Sequence, residues 1–114
     1  MHEGSIVKNI IEEVKKISNE NSIKEIKEIT VVVGKLHSVV PDALNFFFEI
    51  MKKEEEEFKD TKLIIIEEDV IARCLDCGRE FLSEVNLFRC PDCYSVNVEI
   101  IKGAHIYITS VIGE

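Results

Sequence analysis

The sequence predicts an α+β fold, a small three-stranded sheet with two helices, into which a four-cysteine segment is inserted. Three observations predict it. Two stretches in the first half repeat apolar residues every three or four positions, three β-branched stretches read as strands, and two CxxC motifs lie between the second and third of those strands. With 114 residues, 46% hydrophobic and 32% charged, and only 5 Gly and 2 Pro, the composition suits one ordinary domain carrying a small insertion.

The first helix is predicted over 4–19. Ile6, Val7, Ile10, Ile11, Val14 and Ile17 form one stripe, and Glu12, Glu13, Lys15 and Lys16 occupy the other face. After a stop at 19–22, Ile29, Val31 and Val33 alternate with Glu28 and Thr30 ahead of Gly34, which predicts a strand over 27–36. Pro41 lacks the amide hydrogen that a first helical turn leaves unpartnered, and Asp42 complements the positive end of the helix dipole. A second helix therefore starts there, with Ala43, Leu44, Phe47, Phe48 and Met51 inward. The glutamates at 54–57 read as its solvated, fraying end. Leu63, Ile64, Ile65 and Ile66, extended by Val70 and Ile71, predict a second strand. Ile106, Ile108 and Ile112, alternating with His105, Tyr107 and Thr109, predict a third.

This order places 1–71 and 104–114 in one α/β domain and 72–103 in a second. The large apolar residues of the insert are chiefly Phe81, Leu82, Val85, Leu87 and Phe88. Burying so few, at about 25 cal/mol per Å², does not outweigh the entropy of ordering the segment, so it needs a staple.

Lys and Arg total 14 against 22 Asp and Glu, a formal net charge of -8, which opposes any attraction to phosphate backbones. Nucleic acid is not an expected partner. No apolar run approaches the roughly 18 residues of a membrane span, and no basic-apolar leader opens the chain, so a cytoplasmic protein is expected. In a reducing compartment, four cysteines favour a thiolate metal site over disulfides.

Their spacing strengthens that reading. Cys74 and Cys77 make one CxxC, and Cys90 and Cys93 another. Two residues between ligands let the chain form a tight knuckle presenting both sulfurs, and two knuckles supply the tetrahedral four-thiolate shell of Zn(II). Gly78 and Pro91 suit the turns such knuckles need. A full shell leaves no position for water or substrate, so the predicted zinc is structural, in a zinc-ribbon-like domain. Iron in the same cage and a pair of disulfides are the alternatives. Between Cys74 and Cys93 the chain sets Arg79 and Arg89 against Asp76, Glu80, Glu84 and Asp92, leaving no basic face for phosphate.

The amino end is also chemically loaded. The Met1 amine, the His2 backbone nitrogen and a His2 ring nitrogen can close two fused chelate rings, a nitrogen-rich planar set that suits Ni(II) or Cu(II). A solvated histidine at a free terminus is the plainer reading of those residues alone. Met1-His2-Glu3 with Ser5, then Val33-Gly34-Lys35-Leu36 leading to Val40-Pro41-Asp42-Ala43-Leu44 and Phe48, then both CxxC pairs, then Gly103, Ile106-Tyr107-Ile108 and Ser110-Val111, together resemble the HypA/HybF family of hydrogenase-maturation proteins. The resemblance implies a nickel metallochaperone that is not an enzyme. It implies Ni(II) cargo bound at Met1, His2 and Glu3, with His2 essential, the Met1 amine and local backbone nitrogens joining it, and Glu3 assisting through coordination or partner contact. It implies Zn(II) on Cys74, Cys77, Cys90 and Cys93. The implied partners are a HypB-type nickel GTPase and the [NiFe]-hydrogenase large-subunit precursor.

His37 and His105 depart from the family pattern and read as surface or satisfied histidines. The loop over 78–89 holds no histidine, so no further nickel ligand is expected from it. No GxxxxGK[ST] phosphate loop occurs, and no nucleophile with its base stands out, so any nucleotide energy must come from a partner. The competing class is a zinc-ribbon protein-interaction adaptor that ignores nickel.

Overall fold

The computed structural model describes residues 2–84 and 88–114. The elements are α1 (Glu3–Glu20), β1 (Ile26–Gly34), α2 (Pro41–Met51), β2 (Lys62–Glu68), β3 (Ile71–Cys74), β4 (Glu80–Leu82), β5 (Val98–Lys102) and β6 (Ile106–Gly113). They form two three-stranded sheets, ordered β2-β1-β6 and β4-β3-β5. The α+β class with two helices and a small sheet is as the hydrophobic periodicity predicts. The second sheet is additional, because its strands are three to five residues long and too short for an alternation to stand out.

Two compact units divide the chain: Met1–Val31, Val39–Ile66 and Tyr107–Glu114 in one, Val32–Ser38 and Glu67–Ile106 in the other. In the first, the stripe of α1 buries Val7, Ile10, Ile11 and Val14, α2 buries Leu44 and Phe48, and β1 buries Ile26, Ile29 and Val31. Phe48 and Phe58 are wholly buried and meet edge to face, 6.4 Å between ring centres. The glutamates at 54–57 differ from the predicted frayed helix end. α2 stops at Met51 and two 3-10 turns follow, Lys52–Glu54 and Glu56–Phe58. Seating Phe58 in the core bends the chain, and Glu55 pairs with Lys15 at 2.9 Å. Thr61 is buried, and its hydroxyl donates to the Ile26 carbonyl at 2.6 Å. Glu25 and Glu114 exchange backbone hydrogen bonds of 3.0 and 2.9 Å, closing the ends of β1 and β6 onto each other.

In the second unit, β3 is central and pairs antiparallel with both neighbours, Ala72 facing Phe81 on β4 and Ile100 on β5. A register irregularity between Ile71 and Ala72, which pair with Lys102 and Ile100, falls at the end of β5. Ala72, Cys74, Phe81 and Cys90 form the core, with Val98 and Ile100 against them. Leu82, one of the insert's few large apolar residues, is 65% exposed. Val85 and Leu87 lie outside the described residues. The single predicted strand over Leu63 to Ile71 is two strands, broken at Asp69, because β2 and β3 join different sheets. The predicted strand over 27–36 likewise ends at Gly34 and turns into a 3-10 turn, Lys35–His37. Gly34 sits so close to the Gly103 and His105 carbonyls that a side chain there would collide with backbone, and Gly103 (φ 86°) is equally tight against Asp69. Both positions exclude any larger residue.

Candidate metal centre

Each CxxC folds into a knuckle by the same two bonds. In the first, the Gly78 amide donates to the Cys74 carbonyl at 2.9 Å and the Cys74 amide to the Arg79 carbonyl at 2.8 Å. In the second, the Tyr94 amide donates to the Cys90 carbonyl and the Cys90 amide to Ser95, both at 3.0 Å. The residue after the second cysteine is left-handed in both, Gly78 at φ 82° and Tyr94 at φ 61°. The strained Tyr94 was not legible in sequence, since only its glycine counterpart signals the conformation.

The fold brings all four Sγ atoms within 4.8 Å of one another. Two close approaches cross between knuckles, Cys74 to Cys93 at 3.5 Å and Cys77 to Cys90 at 3.6 Å. A disulfide requires about 2.05 Å, whereas a tetrahedron of roughly 2.3 Å metal-sulfur bonds has edges near 3.8 Å. The geometry is that of a metal cage. Cys74 and Cys90 are buried, and Cys77 and Cys93 face outward.

The thiols titrate very unequally. The Cys77 amide, despite opposing burial, draws Cys74 down to about 7, aided by the Asp76 amide and the Cys93 thiol. The Ser95 amide pulls Cys93 down too, but the Cys74 sulfur, burial and the remaining two sulfurs outweigh it and push Cys93 up to about 12. Four crowded sulfurs cannot all ionise unaided, so a cation is what allows a full thiolate set. The donor set therefore fits a thiophilic divalent ion.

Side chains outside the cage brace it. The Asp76 carboxylate, in the first knuckle, accepts from the Ser95 hydroxyl and from Asn97 Nδ2 at 3.4 Å. Arg79 pairs with Asp92 at 2.5 Å, tying the knuckles together. In sequence, these acidic residues weigh only against nucleic acid. Their position inside and beside the CxxC motifs was the available signal.

At the other predicted site, Met1 lies outside the described residues. His2 is exposed at the entry to α1, and its carbonyl accepts from Ser5 and Ile6 amides at 3.1 and 3.2 Å. Glu3 is half-buried, and its Oε2 accepts from the Val40 amide at 3.4 Å. Its own backbone amide holds its carboxyl below the usual range against the opposing effect of burial, with a smaller contribution from the Val40 amide. His37 and His105 are both exposed, and a His37 ring N–H donates to the Ala104 carbonyl.

A family model described as hydrogenase/urease nickel incorporation, metallochaperone, hypA matches residues 1–112. The chain belongs to the HypA family. It is 38% identical to the hydrogenase maturation factor HypA of Moorella thermoacetica over 114 residues, 100% of each chain. It is 31% identical to the HypA of Campylobacter jejuni over 98% of each. Among solved structures it resembles the Ni metallochaperone HypA from Helicobacter pylori with a TM-score of 0.75 and 27% identity, covering 99% of this chain and 97% of that one. Membership makes the chain a nickel-incorporation metallochaperone of hydrogenase maturation. Among the described residues no helix is long and apolar enough to cross a membrane.

Proposed function

We propose that this chain takes up Ni(II) at its amino-terminal segment, Met1, His2 and Glu3, and passes it, together with a HypB-type GTPase, to the [NiFe]-hydrogenase large-subunit precursor in the cytoplasm. The observation that carries this reading is an exposed His2 at the entry of a long amphipathic helix in a chain of the HypA family. The Met1 amine, backbone nitrogen and imidazole make a planar nitrogen set that prefers Ni(II) to Zn(II) on geometry. The two metals are then sorted by donor set.

Cys74, Cys77, Cys90 and Cys93 would hold Zn(II), which when bound supplies a structural cross-link with no open coordination position. Asp76 and the Arg79–Asp92 pair hold the knuckles at their spacing. The chain acts by binding and release, without catalysis of its own. Protons compete for the imidazole and amine nitrogens, so nickel affinity falls on acidification.

The deciding experiment is metal analysis and nickel titration of untagged protein beside His2→Ala. The variant is expected to lose specific nickel binding and keep one zinc per chain. Retained nickel affinity would refute the site, and a parent protein that holds zinc but shows no preference for Ni(II) leaves the adaptor reading in its place.

A further inference from the structure

The entry turns of α1 and α2 are built alike. Each first turn closes on the carbonyl of the residue before it: Ser5 and Ile6 amides on His2, Ala43 and Leu44 amides on Val40, all at 3.1 to 3.2 Å. Neither entry residue uses a side chain as a cap, and the next residue of α2 is Pro41, which has no amide hydrogen. The Val40 amide is thus the outermost donor at that end of α2, and it points to Glu3 Oε2 at 3.4 Å. Beside Glu3, a side-chain carbon at Gly4 would come within 3.7 Å of Phe47 and 3.8 Å of Met51, so this turn of α1 is seated on α2. One carboxylate therefore sits at the positive ends of two helices, where negative charge is favoured.

We infer that the Glu3 side chain is a positioning group: through the Val40 amide it anchors the first turn of α1 to the start of α2 and so sets the direction in which the nitrogen donors of His2 project. The inference rests on the nickel reading above and refines it. Glu3 contributes to binding through its backbone and through this anchor, and its carboxylate is engaged by the protein. Without the anchor, the residues that bind the ion must be ordered when it binds, which lowers affinity.

The test compares Glu3→Ala, Glu3→Gln and Val40→Pro in the zinc-loaded, untagged chain. Proline suits Val40, which is 53% exposed with φ −89°, and removes the amide while leaving the amino-terminal residues intact. Glu3→Ala and Val40→Pro are each expected to weaken Ni(II) binding about 3- to 10-fold, the loss of one hydrogen bond, and Glu3→Gln to restore most of it because its amide oxygen still accepts. In nickel-free protein, Val40 amide exchange should quicken in Glu3→Ala and recover in Glu3→Gln. Glutamine as damaging as alanine, with Val40→Pro binding like the parent, would overturn the inference in favour of carboxylate coordination, as would a Val40 exchange rate indifferent to Glu3. Because exchange is read without nickel, it decides the anchor even if the His2→Ala comparison refutes the nickel site.

Discussion

At the scale of single residues, the two knuckles are near copies that differ at one strained position. Tyr94 holds a left-handed conformation that costs a non-glycine residue roughly 1–2 kcal/mol, while Gly78 adopts it freely with nothing within 4 Å of where a Cβ would be. Gly78→Ala is therefore expected to destabilise the cysteine unit by about 1–2 kcal/mol. Tyr94→Gly should stabilise it by up to about 1 kcal/mol once the greater freedom of unfolded glycine is subtracted, and chemical denaturation of the zinc-loaded protein checks both. At the amino end, one residue added before Met1 turns the chelating amine into an amide. Nickel titration should then show weakened binding with zinc content unchanged. The CxxC spacing was readable because ligand geometry is local, whereas the Tyr94 conformation and the Val40 partner of Glu3 depend on chain folded elsewhere.

At the scale of elements, α1, α2 and β6 were legible because each carries its own period, and the boundaries that moved did so for tertiary reasons. The glutamates at 54–57 show this. Their charge suggested a solvated helix end, but Phe58 is drawn fully into the core and the backbone follows it. Phe58→Ala should cost about 3–5 kcal/mol by thermal unfolding, far more than a residue beside a frayed end would. Lys15, bonded to Glu55, has its pKa raised above the ordinary 10.5, by that hydrogen bond first. A lysine with a raised folded pKa stabilises the native state below its unfolded value and loses that effect as pH rises through the folded value. Unfolding midpoints measured between pH 9 and 12 should therefore decline less steeply in Lys15→Gln than in the parent.

At the scale of the whole molecule, the sheet that carries the cysteines packs on a small core of Ala72, Phe81 and two of the sulfurs, with Val98 and Ile100 against it, so that sheet should depend on its metal. We propose that it folds separately from the helical unit. Cys77→Ser is then expected to release zinc and melt the cysteine sheet while helical circular dichroism persists, leaving only the helical unit's calorimetric transition. A single loss of all structure would sink the division. Gly34 and Gly103, closely opposed through backbone, should tolerate alanine no better, each substitution costing on the order of 2–3 kcal/mol.

The sequence alone determined what repetition and spacing can encode: two amphipathic helices, a three-stranded sheet, two thiolate knuckles and an amino end resembling a nickel-protein family. Tertiary structure alone decided where Leu63 to Ile71 breaks into two sheets, that four sulfurs converge to within 4.8 Å, and that Glu3 meets Val40. The physical reason is range. Periodicity and ligand spacing act within a few residues, while cage closure and the capping of one helix by another pair residues 13 to 37 positions apart, which no local pattern records.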